Sequence, residues 1–326
     1  MKSKNRKCIG LIMVLFCLVM TFNPMTANAA AGTMNETEPN NTYTTADRTY
    51  DDYDNHGYIS TTSDVDWWVI SFSYSGPANF FLGNIPVGCD YDLRLYASDG
   101  STLIDDSLNT GNANELISYT VSANTNYYIK IDSWLGSSTT SQYLFRAKVY
   151  PSKTLTTVPL YVQEATNTCG CASGRMMLKS YGITVTETDF KNKATALAGS
   201  GADFTYVYVV KDTINWYLSD GGNSHRYKYT DTTSYTDESY KNLVLTNILN
   251  SHPVQPVLKI TSTAYFPYTS SGHYVVIKGM TYSSSDGYYT AVVNDPHYDY
   301  SDTYNIPIST IFTYNKAHSG YIICVD

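Results

Sequence analysis

The sequence predicts two domains of different fold class, an all-β sandwich followed by an α+β domain. Between residues 68 and 149, short runs of alternating apolar and polar residues follow one another without a helical stretch. From residue 169 onward, helix-forming segments take over, and strand-like runs return only after Pro253. The chain has 326 residues, which is enough for two ordinary domains and a leader.

The first 29 residues have the three parts of a secretory signal peptide. Four basic residues among the first seven precede an apolar run over 9–20, and Ala27-Asn28-Ala29 fits a cleavage site. The apolar run is short for a membrane-spanning helix, and no later segment approaches one. We therefore expect a secreted bacterial protein whose signal peptide covers 1–29 and which has no transmembrane segment.

The charge of the chain argues against nucleic acid as a partner. The formal net charge is −8, and without the four leader cations 17 basic residues face 29 acidic ones, about −12. Such a surface repels phosphate backbones and anionic membranes. In an exported protein, an excess of carboxylates can instead serve to bind calcium.

Four of the six cysteines remain once the leader is removed: Cys89, Cys169, Cys171 and Cys324. Four scattered thiols are too few to form the disulfide framework of a small secreted domain. A bridge between Cys171 and Cys324 stays open at this point.

In the first domain, alternate positions of each predicted strand are apolar. The members of these faces are Trp68, Ile70 and Phe72; Leu93, Leu95 and Ala97; Ile129 and Ile131; and Phe145, Ala147 and Val149. Turn signals such as Asp99-Gly100 separate the runs. Several short strands of this kind predict a β-sandwich over residues 34–150.

Three motifs give this part of the chain a resemblance to the bacterial pre-peptidase C-terminal domain: Glu36-x-Glu38-Pro39-Asn40, Asp64-x-Asp66-Trp67 and Asp90-Tyr91-Asp92-Leu93-x-Leu95-Tyr96. The resemblance implies an accessory module that contacts a cell surface or matrix. Since some such domains bind calcium, it also implies the oxygen ligands Glu36, Glu38, Asn40, Asp64 and Asp66. Calcium takes six to eight oxygens and relieves the repulsion between neighbouring carboxylates. A solvated acidic linker is the alternative interpretation.

Residues 151–157, with a proline and several threonines, are expected to link the two domains, and the second domain covers 158–326. It is organised around 163–178, which predicts a strand-to-helix elbow with Cys169 on the first turn of the helix. The positive end of the helix dipole favours the thiolate there. Gln163 can donate its side-chain amide to an oxyanion, and the backbone N–H of Cys169 is a second donor.

Three more helices are predicted after the elbow. One is capped by Thr186 or Thr188 and runs through Lys193, one spans about 206–218, and one spans 237–250. Strands follow from Pro253. A domain in which helices come first along the chain and an antiparallel sheet follows has an α+β arrangement.

The base must come from the six histidines, which are His56, His225, His252, His273, His297 and His318. His273 starts the strand 272–279, and the small glycine before it leaves room beside the imidazole. The next strand, 288–295, ends in Asp295. A hairpin turn centred on Ser284 would pair His273 with Asp295 at a Cβ separation of about 5 Å, which lets the carboxylate orient the imidazole. A two-residue turn at Asp286-Gly287 would separate them.

The second domain resembles the papain-like cysteine peptidases, most closely the bacteriocin-processing branch that removes double-glycine leaders, over about 156–326. The matching positions are Gln163, Cys169, Gly170, Ala172, Leu178, Tyr181, Gly182 and the sequence Gly-His-Tyr-Val-Val from 272. The resemblance implies a papain-like fold and a triad of Cys169, His273 and Asp295, with Gln163 as the oxyanion donor. Asn294 is the alternative to Asp295. Cys171 stands where the family often has proline, which leaves it open as a competing nucleophile.

The sequence therefore predicts a secreted cysteine peptidase that cleaves peptide or amide bonds in a peptide or protein substrate. The chemistry needs no cofactor, and the zinc spacings His-x-x-x-His and Cys-x-x-Cys are absent from the sequence. Two alternatives remain. An acyl transferase of the transglutaminase type would use the same triad, and a catalytically inactive surface-binding protein would use none of it.

Overall fold

The computed structural model describes residues 30–199 and 203–325. The signal peptide expected at 1–29 lies outside these residues. Within the two described ranges, no helix is long and apolar enough to cross a bilayer.

The first part of the chain is a sandwich of two five-stranded sheets, ordered β1-β3-β10-β5-β8 and β2-β4-β9-β6-β7. The strands are β1 (Gly32–Asn35), β2 (Asp47–Arg48), β3 (Tyr53–Gly57), β4 (Val65–Ser71), β5 (Gly76–Gly83), β6 (Asp90–Tyr96), β7 (Leu103–Ser107), β8 (Glu115–Val121), β9 (Asn126–Leu135) and β10 (Tyr143–Val149). The pairs β1–β3 and β2–β4 are parallel. All other neighbouring strands of the two sheets are antiparallel. This confirms the predicted all-β fold.

The core of the sandwich consists of the alternating apolar faces that the sequence predicts. Trp68, Ile70 and Phe72 are at most 1% exposed, and the corresponding residues of β6, β9 and β10 pack with them. Ala97 is the exception, because it lies just beyond the end of β6 and is only half-buried. Each large apolar side chain buried in this way contributes roughly 1.5–3 kcal/mol to stability.

The second part is an α+β domain, as predicted. Its helices are α1 (Cys169–Ser180), α2 (Glu187–Ala198), α3 (Val207–Asp220), α4 (Asp237–Leu249) and α5 (Ile308–His318). Its strands are β11 (Lys153–Thr154), β12 (Lys228–Asp231), β13 (Gln255–Ile260), β14 (Ser270–Tyr274), β15 (Val276–Ser283), β16 (Tyr288–Asp295), β17 (Asp302–Pro307) and β18 (Tyr321–Cys324).

Two antiparallel sheets, β11-β15-β16-β17 and β12-β18-β13-β14, support the helices. An isolated antiparallel bridge between Val254 and Ile277 joins them at the entry to β13. Thr186 caps α2, since its hydroxyl accepts the backbone N–H of Asp189 at 3.1 Å. Of the two caps that the sequence offers, Thr186 and Thr188, the structure therefore has Thr186.

Two local features differ from the expectation. No strand leads directly into α1, because the described residues 161–168 are irregular chain with bends and turns. The expected linker 151–157 contains β11, which pairs with β15 through Lys153 and Met280, so it is anchored to the second domain.

The predicted hairpin register is also wrong. Val276 pairs with Asn294, and a bulge then shifts the ladder by one residue so that Gly279 pairs with Val292. His273 is not part of this hairpin at all. It lies on β14, opposite Leu258 of β13.

Candidate active site

Cys169, His273 and Asp295 meet where the first turn of α1 faces the sheets. Cys169 is the first residue of α1, His273 lies on β14, and Asp295 is the last residue of β16. The Ser173 hydroxyl holds α1 against β14 by donating to the carbonyl oxygen of Tyr274 at 3.2 Å. Three distant stretches of sequence thus contribute one side chain each.

His273 is hydrogen-bonded to Asp295 through one nitrogen of its ring. Its Nε2 lies 2.7 Å from Asp295 Oδ1, which leaves Nδ1 as the ring nitrogen that can exchange a proton with a thiol. The imidazole is 4% exposed and Asp295 is 0% exposed. Burial alone would lower the pKa of His273, but the hydrogen bonds with Asp295 and Cys169 outweigh it and raise the pKa to about 9.

The Cys169 thiol ionises more easily than a free cysteine. Burial acts to raise its pKa, but the hydrogen bond and positive charge of His273, together with the backbone N–H groups of Tyr274 and Gly170, lower it overall. A lowered thiol pKa beside a raised imidazole pKa favours a thiolate–imidazolium pair at neutral pH.

The residues left open as alternatives lie elsewhere. The Asn294 amide donates to the carbonyl oxygen of Pro159 at 2.9 Å and accepts from Thr303 at 2.8 Å, so its side chain serves the packing of β16. Cys171 is fully buried, and burial with the charge of Glu187 raises its pKa to about 12. Neither Cys171 nor Cys324 is part of a disulfide, so the bridge considered between them is not formed.

The other five histidines are distributed over both domains. His56 belongs to β3 of the sandwich. His225 and His252 face each other with ring centroids 4.6 Å apart. His297 lies beside the site, with its ring centroid 5.9 Å from that of His273, but its backbone N–H and not its ring contacts Asp295. His318 is at the end of α5.

Gln163 is held in the loop that enters α1. Its backbone N–H donates to the carbonyl oxygen of Pro296 at 2.8 Å, and its side-chain Nε2 donates to that of Ala165 at 3.0 Å. The amide carries a second N–H. The N–H of Cys169, as the first residue of a helix, has no acceptor within that helix. Among the described residues, one N–H of the Gln163 amide and the N–H of Cys169 are therefore left for a further acceptor.

A buried carboxylate that the sequence analysis did not single out fixes this loop. Glu187, which is 3% exposed, accepts the backbone N–H of Glu164 at 2.8 Å and pairs with Arg175 at 3.3 Å. Arg175 also donates to the carbonyl oxygen of Val185 at 2.9 Å. In the sequence, Glu187 is marked only as an acidic residue that follows a helix N-cap, and acidic residues are common at helix starts.

A cavity of about 680 Å³ opens beside Cys169. Its wall is rich in aromatic side chains and includes Tyr206, Tyr208, Tyr229, Tyr274, Tyr321, Asp203 and His318. A cleft of this size beside a reactive thiol can hold several residues of an extended peptide.

The acidic residues of the first domain form a separate candidate metal site. Carboxylate oxygens of Glu36, Glu38 and Asp66 lie within 4.8 Å of one another. Asp66 Oδ1 and Asn40 Oδ1 are buried, and neither has a hydrogen-bond partner among the described residues. Burial and the neighbouring Glu36 raise the pKa of Asp66. Orphaned oxygens beside clustered carboxylates fit a calcium ion.

Asp64, the fifth expected ligand, is not part of this cluster. Its carboxylate accepts from the backbone N–H and the hydroxyl of Ser60, both at 2.7 Å, and from the N–H of Val65 at 3.0 Å. These three bonds give it a structural role in the turn before β4.

Comparison with known proteins gave one family match: the model of the Peptidase_C39 like family matches residues 155–320. No curated protein matches the chain.

Several solved structures are similar to parts of the chain. The pre-peptidase C-terminal domain of a Bacillus anthracis collagenase is 15% identical over 32% of this chain and 94% of its own, with a TM-score of 0.27. A double glycine motif protease from an AMS/PCAT transporter, solved with its leader peptide, is 18% identical over 53% of this chain and 93% of its own, with a TM-score of 0.34. The peptidase domain of Streptococcus ComA is 13% identical over 52% of this chain and 97% of its own, with a TM-score of 0.32.

Proposed function

The chain belongs to the Peptidase_C39 like family, and from this premise we propose that it is a secreted thiol peptidase that uses Cys169 as its nucleophile. The observation that carries the proposal is the meeting of three side chains: His273 Nε2 lies 2.7 Å from the buried Asp295 carboxylate, and the Cys169 thiol lies close enough to the imidazole for His273 to lower the thiol pKa. Its site opens into the tyrosine-lined cavity, where a peptide can reach the sulfur.

The proposed reaction begins with attack of the Cys169 thiolate on the scissile carbonyl carbon, which forms a C–S bond and moves an electron pair onto oxygen. The N–H groups of Gln163 and Cys169 stabilise that oxyanion. When the C–N bond breaks, imidazolium His273 gives its proton to the leaving amine. His273 then takes a proton from water, which attacks the thioester and releases the acid product and the thiolate.

Asp295 keeps the ring of His273 oriented and stabilises its positive charge. Because the pKa of His273 is raised to about 9, the imidazolium needed to protonate the leaving group is present below that pH and is lost above it. Hydrolysis should therefore fall as the pH rises through about 9.

Cys169→Ala tests the proposal, with Cys171→Ala as the matched control two residues along the same helix. Mass spectrometry of a peptide mixture incubated with each variant should find cleavage by the wild type and by Cys171→Ala. Cleavage by Cys169→Ala should be at least about 10³-fold slower, as expected for loss of a nucleophile. Equal loss in Cys171→Ala would reject the assignment.

The same assay separates the alternatives. Products that carry an added amine in place of water would identify an acyl transferase. If the wild type cleaves no peptide, and Cys169→Ala leaves binding to a cell-surface or matrix partner unchanged, the binding role would replace the catalytic one.

We also propose that the first domain binds calcium through Glu36, Glu38 and Asp66, with Asn40 as a further oxygen ligand. The ion would stabilise the N-terminal segment against the sandwich. Binding of Ca²⁺ at 100 times its Kd adds about 2.7 kcal/mol to stability. Calorimetric titration should detect binding that Asp66→Asn abolishes and Asp64→Asn retains. Equal loss in both variants would reject this ligand set.

A further inference from the structure

The Asp295 carboxylate is fully buried, and each of its two oxygens has a donor. Oδ1 accepts from His273 Nε2 at 2.7 Å and from the backbone N–H of His297 at 2.9 Å. Oδ2 accepts from the Tyr268 hydroxyl at 2.5 Å. A short O–H···O bond to a carboxylate is among the stronger hydrogen bonds in proteins. Tyr268 thus supplies the donor to the oxygen that does not face His273.

This bond fixes the rotation of the carboxylate. The last torsion of an aspartate side chain has a broad energy profile, so packing alone orients it weakly. Asp295 is the last residue of β16, where the ladder ends. With one oxygen held by Tyr268, the plane of the carboxylate is set so that Oδ1 points at His273.

The ring of Tyr268 covers the His273–Asp295 pair. It meets the imidazole of His273 edge-on, with centroids 5.7 Å apart and planes at 88°, and lies 4.2 Å from the ring of His297. Tyr268 is half-buried, whereas His273 is 4% and Asp295 0% exposed. The tyrosine therefore stands between solvent and the pair, and a hydrogen bond that water cannot reach is electrostatically stronger.

Tyr268 remains a donor over the whole range in which the site is charged. Burial, followed by the charge of Asp295, raises its pKa above the ordinary value. The other titratable groups acting on it are Tyr304 and Cys169. A protonated hydroxyl is therefore maintained next to the carboxylate.

From this geometry we propose that Tyr268 is a positioning residue that orients Asp295 toward His273 and shields their hydrogen bond, without touching substrate. The inference rests on the proposed function, because it presupposes that the imidazolium stabilised by Asp295 generates the reactive thiolate.

The test is the rate of iodoacetamide alkylation of Cys169 in the full chain, followed by mass spectrometry from pH 5 to 10, which requires no substrate. The variants are Tyr268→Phe, Asp295→Asn and the double variant. Tyr300→Phe is the matched control, since it removes a hydroxyl from a ring that stacks on Tyr268 with centroids 5.5 Å apart.

Tyr268→Phe should slow alkylation at pH 6 by about tenfold, the size of one hydrogen bond to a charged group. It should also move the acidic inflection of the rate–pH profile upward, because the imidazolium is less stabilised. Tyr300→Phe should match the wild type. In the Asp295→Asn background, Tyr268→Phe should change the rate by less than about twofold, since the residue acts through Asp295.

An unchanged inflection in Tyr268→Phe, or a full tenfold loss in the Asp295→Asn background, overturns the inference. Failure of the proposed function looks different. In that case wild-type Cys169 would react no faster than the buried Cys171 at pH 6, whatever residue 268 is.

Discussion

Replacing His273 by alanine isolates the contribution of the imidazole to the reactivity of Cys169. In the wild type, burial raises the thiol pKa while His273 lowers it by its hydrogen bond and charge. In His273→Ala, burial remains, and only the backbone N–H groups of Tyr274 and Gly170 oppose it. We therefore expect the thiol pKa to return to the ordinary range or above it.

The magnitude follows from the fraction of thiolate. A cysteine with an ordinary pKa of about 8.5 is roughly 3% ionised at pH 7, whereas a thiolate–imidazolium pair is largely ionised. The population of thiolate should thus fall about 30-fold. The more basic thiolate of the variant is also a better nucleophile, with a Brønsted coefficient of about 0.4–0.5, which offsets part of that loss. A net decrease in alkylation of about tenfold at pH 7 is expected.

The assay is time-resolved labelling by iodoacetamide at pH 7, read by mass spectrometry at each cysteine, with peptide hydrolysis measured in parallel. Hydrolysis should decrease by at least about 10²–10⁴-fold, because the general acid and base is gone. His225→Ala is the control, since His225 contacts His252 and Tyr181, away from the thiol.

Two results would refute the reasoning. Labelling of Cys169 in His273→Ala at the wild-type rate would mean that the helix dipole and backbone donors suffice without the imidazole. A wild-type hydrolysis rate that keeps rising above pH 9 would mean that a protonated His273 is not required.

Two further predictions concern the elements that support the site. Gly174→Ala gains about 0.5–1 kcal/mol of helix propensity, but the added Cβ would overlap the ring of the fully buried Phe190. Overpacking costs about 1–3 kcal/mol of stability, so the melting temperature should fall. The double variant Gly174→Ala, Phe190→Leu should lose less stability than the two single variants lose together. Glu187→Ala should lower kcat by about tenfold while leaving the alkylation rate of Cys169 in the folded protein unchanged, because it releases the loop and not the thiol. Glu164→Ala, which removes an exposed side chain and keeps the backbone bond to Glu187, should behave as wild type; equal losses in the two would contradict this role.

The sequence was sufficient to predict the two fold classes, and the side chains of Cys169, His273 and Asp295 that it singled out lie together in the structure. The alternation of apolar residues is a local signal that a sequence reveals directly. Trp68 and Ile70 lie in the core because the apolar face of a strand must be buried. The helix start at Cys169 was predictable from helix formers following a polar, turn-prone stretch.

The strand register was not predictable, for a physical reason. A bulge between Ile277 and Gly279 adds one residue to one strand, and the period of two in the sequence does not reveal it. His273 and Asp295 nevertheless meet, because the chain leaves β14 at Tyr274 and enters β15 at Val276, which pairs with Asn294, the residue before Asp295.

Tyr268 and Glu187 are functional candidates that no local pattern could have revealed. Tyr268 lies between β13 and β14 in an irregular segment, and one of 32 tyrosines carries no distinguishing signal. Its proximity to Asp295 arises only from the packing of residues 27 positions apart. Long-range contacts of this kind depend on the tertiary fold, and they cannot be predicted from the spacing of residue types along the sequence.

The competition between the two thiols, in contrast, is decided by helical geometry together with the packing of α1. Residues two apart on an α-helix are separated by about 200° around its axis, so Cys169 and Cys171 must point to nearly opposite sides. One side of α1 meets β14 and the imidazole, and the other packs into the core, where Cys171 is 0% exposed and its pKa is raised to about 12. Because a single helix cannot present both sulfurs to His273, the residue at its first position is the one that can share a proton with it. Any variant that made Cys171 reactive would have to rotate α1 by about half a turn and lose its core contacts.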